Sequence, residues 1–325
     1  MKSIVTEFQL EHIFRYIERE YSIFGTKKEG GDIKFGILQN FHQIPIPTPK
    51  TTMPFKGIVW PNHFQYLPAK KEARKLAFFG LTNCDVIALA KLYKEFSETN
   101  LLPGKPLVIS TECKPDGECF CTAFGHNEVK SFDLHIQSNG KKYDIFSGST
   151  RGQKILIDCG IKNDPKARPI TPIEKNSEII NLNLLEQKIE DKAGSKAFWQ
   201  GIASNCFGCG ACTAVCPLCY CTKQEIVNDE KSGCRHCLSW DSCFSKSFSE
   251  IQNHFDYRPE NADRLYNWYH HKFVRAKQSS GQILCTGCGR CIKACPANLN
   301  QKKIIQTLAN IAEEEDRLKK VDANA

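Results

Sequence analysis

The chain has 325 residues, 41% of them hydrophobic and 25% charged, which allows two domains with separate cores. No window approaches 18 uninterrupted apolar residues, which excludes a helical membrane span, and MKSIVTEFQLEHIFRYIERE carries acids where a secretory leader needs an unbroken apolar run. The formal charge of +8 would suit a nucleic-acid binder, but it counts all 18 cysteines as neutral thiols.

Thr6 to Tyr21 reads as a surface helix with Phe8, Ile13, Ile17 and Tyr21 on its apolar face. Positions 38–68, with Pro45, Pro47, Pro49, Pro54, Pro61 and Pro68, read as extended chain laid over a core. Lys75–Phe79 reads as a buried strand ending at Gly80. Thr82 or Asn83 then caps a helix from Cys84 to Phe96 that turns Val86, Leu89, Ala90 and Tyr93 inward. Pro106–Ser110 is the next strand, and Phe132–Gln137, Lys142–Phe146 and Ile155–Asp158 read as further strands. This order predicts an α/β or α+β domain over 1–165. A linker and helix follow over 166–195, the helix running from Leu182 to the Trp199 region. A dicluster ferredoxin-like domain is expected over 196–310, with an insertion at 218–284 that ends in an aromatic and basic helical stretch, Asn261–Lys277. A charged tail, 311–325, closes the chain.

Cysteine carries the functional signal. Cys206-x2-Cys209-x2-Cys212-x3-Cys216-Pro217 and Cys285-x2-Cys288-x2-Cys291-x3-Cys295-Pro296 repeat one run, the bacterial ferredoxin pattern. Three thiolates spaced by two residues hold corners of one [4Fe–4S] cube, and the fourth reaches across to the other cube. Small residues between them (Gly208, Gly210 and Ala211; Thr286, Gly287 and Gly289) leave backbone N–H groups free to point at sulfur. Crossed ligation predicts one cluster on Cys206, Cys209, Cys212 and Cys295, and a second on Cys216, Cys285, Cys288 and Cys291. Structural zinc sites pair two knuckles and rarely show this run twice. An oxidised cube with four thiolates carries about 2−, so two take the charge to about +4 and four to about zero. The basic balance is largely compensation for clusters.

Two further groups follow. Cys84 lies after the first strand of the Lys75 region, and Cys113, Cys119 and Cys121 lie after the next. If those strands are parallel neighbours, their C-terminal ends lie together, where α/β folds place cofactors. These four are expected to hold a third [4Fe–4S] cluster, with Cys159 left as a strand-end core thiol. In the insertion, Cys234-x2-Cys237 reads as a knuckle. Cys243 and Cys221, with Cys219 as alternative ligand, complete a fourth set for [4Fe–4S] or zinc, between which spacing does not choose. His236 reads as a neighbour of that set and not as a ligand.

FFGLTNCDVIALAKL (78–92), ISTECKPDGECFCTAFG (109–125), FDLHI (132–136) and CFGCGACTAVCPLCYC (206–221) resemble the electron-transfer iron–sulfur subunit family. That family contains the beta subunit of sulfhydrogenases (group 3 nickel–iron hydrogenases) and the A subunit of anaerobic sulfite reductase. The resemblance implies a cytoplasmic subunit beside a flavin- and NAD(P)-binding diaphorase partner. It would pass electrons between that partner and a hydrogenase or sulfite/sulfur reductase catalytic subunit, with no flavin or NAD(P) of its own. The chain carries Thr82-Asn83 where members of the family often have Arg-Pro.

No GxGxxG turn, HExxH or nucleophile elbow is present. Gly148–Gly152 with Arg151 reads as a surface turn more readily than as an anion site. Two other readings stand beside electron relay. One is a redox enzyme acting on a sulfur compound at the N-terminal cluster. The other is an iron–sulfur nucleic-acid module using the aromatic and basic residues of 266–275, although Tyr266, Tyr269 and Phe273 form a stripe that more simply packs.

Overall fold

The computed structural model describes residues 1–61, 63–65, 75–99, 101–193, 195–229 and 233–309, with 63–65, 227–229 and 233–236 as backbone only. Two compact units divide the chain: Met1–Trp60, Leu67–Asp116 and His126–Lys175 form the first, and Pro61–Tyr66, Gly117–Gly125 and Asn176–Ala325 the second. The described strands are β1 (Lys2–Val5), β2 (Tyr21–Glu29), β3 (Asp32–Ile37), β4 (His63–Gln65), β5 (Lys75–Leu81), β6 (Leu107–Thr111), β7 (Leu134–Asn139), β8 (Lys142–Ser147), β9 (Thr222–Asp229) and β10 (Gly233–Trp240).

The first unit is built on a mixed seven-stranded sheet in the order β1-β8-β7-β6-β5-β2-β3. Strands β2, β5, β6 and β7 run parallel, and β1, β8 and β3 pair antiparallel at the margins. Parallel strands are covered on both faces, so β5 and β6 are near-continuous apolar runs. The helix Asn83–Glu95 makes the crossover between them. The helix Glu7–Glu18 starts at a reciprocal cap: Gln9 N–H donates to Thr6 Oγ1 and Thr6 N–H to Gln9 Oε1, a device contributing about 1 kcal/mol. It buries Leu10, Ile13, Phe14 and Ile17 in the core of Ile23, Ala77, Phe79, Ile109, Leu134 and Ile145.

Several elements differ from the sequence reading. The first helix stops at Glu18, Tyr21 opens β2, and Phe8 is 81% exposed because the buried stripe is carried by Leu10 and Phe14. Strand β5 continues through Gly80, which takes φ +76° at a break in register. In the following helix Ala88 and Leu92 face inward in place of Ala90. Ile155–Asp158 is helical, not a strand. Ser149 Oγ accepts from Gly152 N–H at 3.0 Å and starts the helix Thr150–Asp158, with Ile155 and Leu156 buried. The helix expected over 182–199 is two, Leu182–Asp191 and Lys196–Ala203. Pro68 and the tail 311–325 lie outside the described residues.

Gly148 and Gly152 are packing glycines. A Cβ at Gly148 would lie 2.5 Å from the Phe132 carbonyl oxygen, and one at Gly152 1.9 Å from that of Asp133. Arg151 is committed to Asp133 at 2.7 Å and to the Pro106 carbonyl at 2.6 Å. The segment is a braced turn.

In the second unit, β4, β10 and β9 form a small antiparallel sheet. The remainder is helical around a core of Phe120, Leu185, Trp199, Leu265, Trp268, Tyr269 and Phe273. Tyr269 and Phe273 are fully buried and Tyr266, partly buried, packs against the same core, so the aromatic stripe is a packing surface. Between the helices Asn261–His270 and Ala276–Ser280 the backbone widens into one π-turn, His271–Arg275.

Candidate metal centres

The two cysteine runs fold alike. Gly208 and Gly210 take φ +64° and +72°, Gly287 and Gly289 +68° and +71°, values that glycine adopts without strain. The left-handed turns aim backbone donors at sulfur: Gly208 N–H reaches Cys206 Sγ at 3.4 Å, and Gly287 N–H reaches Cys285 Sγ at 3.4 Å. Each run continues into a single helical turn, Ala211–Ala214 or Arg290–Lys293. Asn261 Nδ2 donates to the Cys206 carbonyl at 2.8 Å and fastens the first loop to the long helix.

Each loop lines a cavity, and each cavity takes its fourth cysteine from the other run. One is lined by Cys206, Cys209, Cys212 and Cys295 with Phe207, Pro296 and Leu299. The other is lined by Cys216, Cys285, Cys288 and Cys291 with Phe120, Trp268 and Lys272. The first reaches the surface, where Cys209 and Phe207 are exposed; in the second Cys288 is buried. Among the described residues no three His, Cys, Asp or Glu side chains close on a point that could hold a single metal ion.

The donor chemistry fits an iron–sulfur cube in each cavity. Burial pushes the Cys212 and Cys285 thiols up to about 12 and raises Cys291 well above the ordinary thiol value. Cys216 is raised by a hydrogen bond with Cys219 and by burial. Thiols so desolvated ionise only for a cation that takes the place of water. Backbone donors also converge on sulfur, with Leu299 N–H at 3.3 Å from Cys295 Sγ. Trp268, on the wall of the second cavity, has its buried indole N–H without a partner among the described residues, a donor suited to cluster sulfide.

The remaining cysteines are distributed unevenly. Cys84, 7% exposed, opens the helix after β5, its Sγ 3.2 Å from Thr82 Oγ1. Cys113 follows β6, the parallel neighbour of β5. Thr82 and Asn83 act locally: Thr82 Oγ1 donates to Asp85 Oδ2 at 2.9 Å, and Asn83 Nδ2 donates to the His126 carbonyl at 3.2 Å. Cys119 and Cys121 belong to the second unit, although the sequence reading placed them within the first domain. Phe120 N–H donates to the Gly287 carbonyl at 2.8 Å, and Asn176 Nδ2 reaches Cys121 Sγ at 3.2 Å. A Cβ at Gly287 would lie 2.6 Å from Phe120 backbone atoms, and one at Gly289 2.2 Å from the Glu118 carbonyl oxygen. The 118–121 segment therefore rests on the second cysteine loop. Cys159 packs at the edge of the first unit's core, its thiol pushed up to about 11 by burial and by Asp158.

In the fourth set, Cys243 is buried against Cys221, and their hydrogen bond lowers Cys221 to about 7 while it raises Cys243. Cys219 is close enough to Cys243 to raise it further. Cys234 and Cys237 lie within β10, opposite Asn228 and Glu225, so the expected knuckle is a strand; Cys237 is buried, and the side chains of Cys234 and His236 are outside the described residues.

Sequence reasoning missed Lys272 and Trp268 as walls of the second cavity. Its nearest signal was the aromatic and basic composition of that helix.

Residues 205–299 match the 4Fe-4S dicluster domain. Over 314 residues the chain is 22% identical to sulfhydrogenase 2 subunit beta of Pyrococcus furiosus, covering 90% of this chain and 93% of that protein. No solved structure matches. Among the described residues no helix is long and apolar enough to cross a membrane.

Proposed function

From the premise that the chain fits an iron–sulfur electron-transfer subunit family, we propose that it relays electrons between a flavin- and NAD(P)-binding diaphorase-type subunit and a catalytic subunit of hydrogenase or sulfite/sulfur reductase type. The single observation that carries this reading is the pair of cavities, each lined by four cysteines drawn three from one run and one from the other. When bound, [4Fe–4S] clusters supply one-electron carriers. The chain's residues do the rest. The two loops fix the thiolates, their backbone N–H groups favour the reduced, more negative state, and the aromatic core excludes water. Exposed Cys209 and Phe207 give the outer site an edge where a partner's cofactor can approach. In the same reading, Cys84, Cys113, Cys119 and Cys121 hold a third cluster, and Cys234, Cys237 and Cys243, with Cys221 or Cys219, hold a fourth site of iron–sulfur or zinc. The assembly works in a reducing cytoplasm, where thiolates stay available to metal.

Iron, sulfide and zinc analysis of anaerobically purified protein tests the count. The ferredoxin pair alone gives about eight iron per chain, and each further cube adds about four. Four iron or fewer would sink the reading. The isolated chain is expected to accept electrons from a low-potential dye and to leave NAD(P)H untouched until a flavoprotein subunit is added. Flavin-independent NAD(P)H oxidation by the pure chain would overturn the relay assignment.

A further inference from the structure

Lys272 is a buried cation, 3% exposed, on the π-turn His271–Arg275. Its ammonium donates to the Leu284 carbonyl at 3.1 Å and to Cys216 Sγ at 3.4 Å, and lies 5.2 Å from the centre of the Trp268 ring. It lines the cavity of Cys216, Cys285, Cys288 and Cys291. Among the described residues it forms no ion pair with a carboxylate, and the cavity it faces is lined by Cys216, Cys285, Cys288 and Cys291. A buried ammonium is costly without a counter-charge, and the one available is the sulfur set. Among the described residues, the cavity of Cys206, Cys209, Cys212 and Cys295 has no lysine, arginine, histidine or carboxylate on its wall. Arg290, buried beside the second loop, is not on either wall. The π-turn also fits a specialised role, since such turns gather at functional sites.

We infer that Lys272 separates the reduction potentials of the two clusters, holding the one on Cys216, Cys285, Cys288 and Cys291 above the one on Cys206, Cys209, Cys212 and Cys295. The step is a one-electron reduction by a low-potential donor, in which no bond is made or broken. The electron adds one negative charge next to a fixed positive one, and an N–H donor to a ligand sulfur favours that state further. Lys272 is a positioning residue acting through Cys216. It gives electrons a downhill direction from the outer site to the inner one.

The test is an EPR-monitored redox titration of the full-length anaerobic holoprotein, with the two signals assigned by Cys216→Ser. In Lys272→Met the inner signal is expected to move to lower potential by at least a tenfold change in the reduced-to-oxidised ratio, about 59 mV, with the outer signal unmoved. Lys272→Arg should restore most of the shift. Unmoved signals, equal movement of both, or no rescue by arginine would overturn the inference. If Lys272→Met fails to assemble, protein labelled with 15N-lysine decides by pulsed EPR: one lysine nitrogen should couple to the inner cluster alone, and absence of that coupling overturns the inference. The inference rests on a cube in the inner cavity. About four iron with only the outer signal would overturn that assignment, whereas about eight iron with unmoved potentials would overturn the role of Lys272 alone.

Discussion

The first unit closes on hydrocarbon, and the second closes on sulfur. In the first, Phe14, Phe79, Ile109 and Ile136 fill the space between helix and sheet with none of their surface exposed. In the second, an aromatic core surrounds two cavities lined by thiols, of which burial raises those of Cys212, Cys285 and Cys291 above the ordinary value. The first unit's core is hydrocarbon packed on hydrocarbon, while the second encloses two cavities lined by cysteine. A hydrophobic core and a metal core therefore make different demands on one chain.

The largest expected effect tests that contrast directly. Chelating iron from the anaerobic holoprotein should collapse hydrogen-exchange protection across 205–299 while β5, β6 and β7 keep theirs. Equal loss in both units would break the comparison. Next comes Cys216→Ser, which should cost the protein the cluster on Cys285, Cys288 and Cys291, about four iron, and leave the EPR signal built on Cys206, Cys209 and Cys212. Loss of the latter signal alone would refute crossed ligation.

Two glycines sharpen the contrast at similar cost. A Cβ at Gly25 in the first unit would lie 1.8 Å from the Phe79 carbonyl oxygen, and one at Gly287 in the second would meet Phe120 at 2.6 Å. Each alanine variant should lose about 3 kcal/mol in denaturant unfolding, the upper end for overpacking. Only Gly287→Ala should also lose iron on metal analysis, because only its backbone faces a ligand sulfur.

The smallest effect belongs to His135. Burial lowers its pKa to about 4, and its Nδ1 lies 2.9 Å from Ser110 Oγ. The unfolded chain, near 6.5, takes up the proton first, so this stability is full above pH 6.5 and is lost as pH falls towards 4. The loss should reach about 2 kcal/mol by pH 5. His135→Gln should flatten the melting temperature against pH between 5 and 7. An unchanged slope would show that other groups govern the acid limb.

How much of this was legible depended on whether the signal was local. The eight cysteines of the two cavities follow from spacing alone, because ligand geometry imposes it. The parallel pairing of β5 and β6 was readable from two short apolar runs with a helix between them. Ile155–Asp158 was not, since a four-residue apolar run fits a strand or a helix turn equally, and the deciding cap, Ser149, lies outside it. Nor could local pattern show that Phe120 packs in the second unit's core: the Gly287 carbonyl that its N–H meets is more than a hundred positions away. Lys272 read as one more basic residue because a π-turn has no periodicity to betray it.

The hydrogen bond from Phe120 to Gly287 has a consequence for biosynthesis. The 117–125 segment leaves the ribosome long before residues 285–291, so its native partner is absent for on the order of ten seconds of synthesis. Through that interval the Phe120 N–H lacks its native acceptor, and the thiols of Cys119 and Cys121 lack the loop that packs on them and are open to oxidation. Contacts of such sequence separation form late, and the last cysteine loop to be synthesised is the one that shelters the earlier pair. Oxygen during translation should therefore damage Cys119 and Cys121 more than oxygen after release.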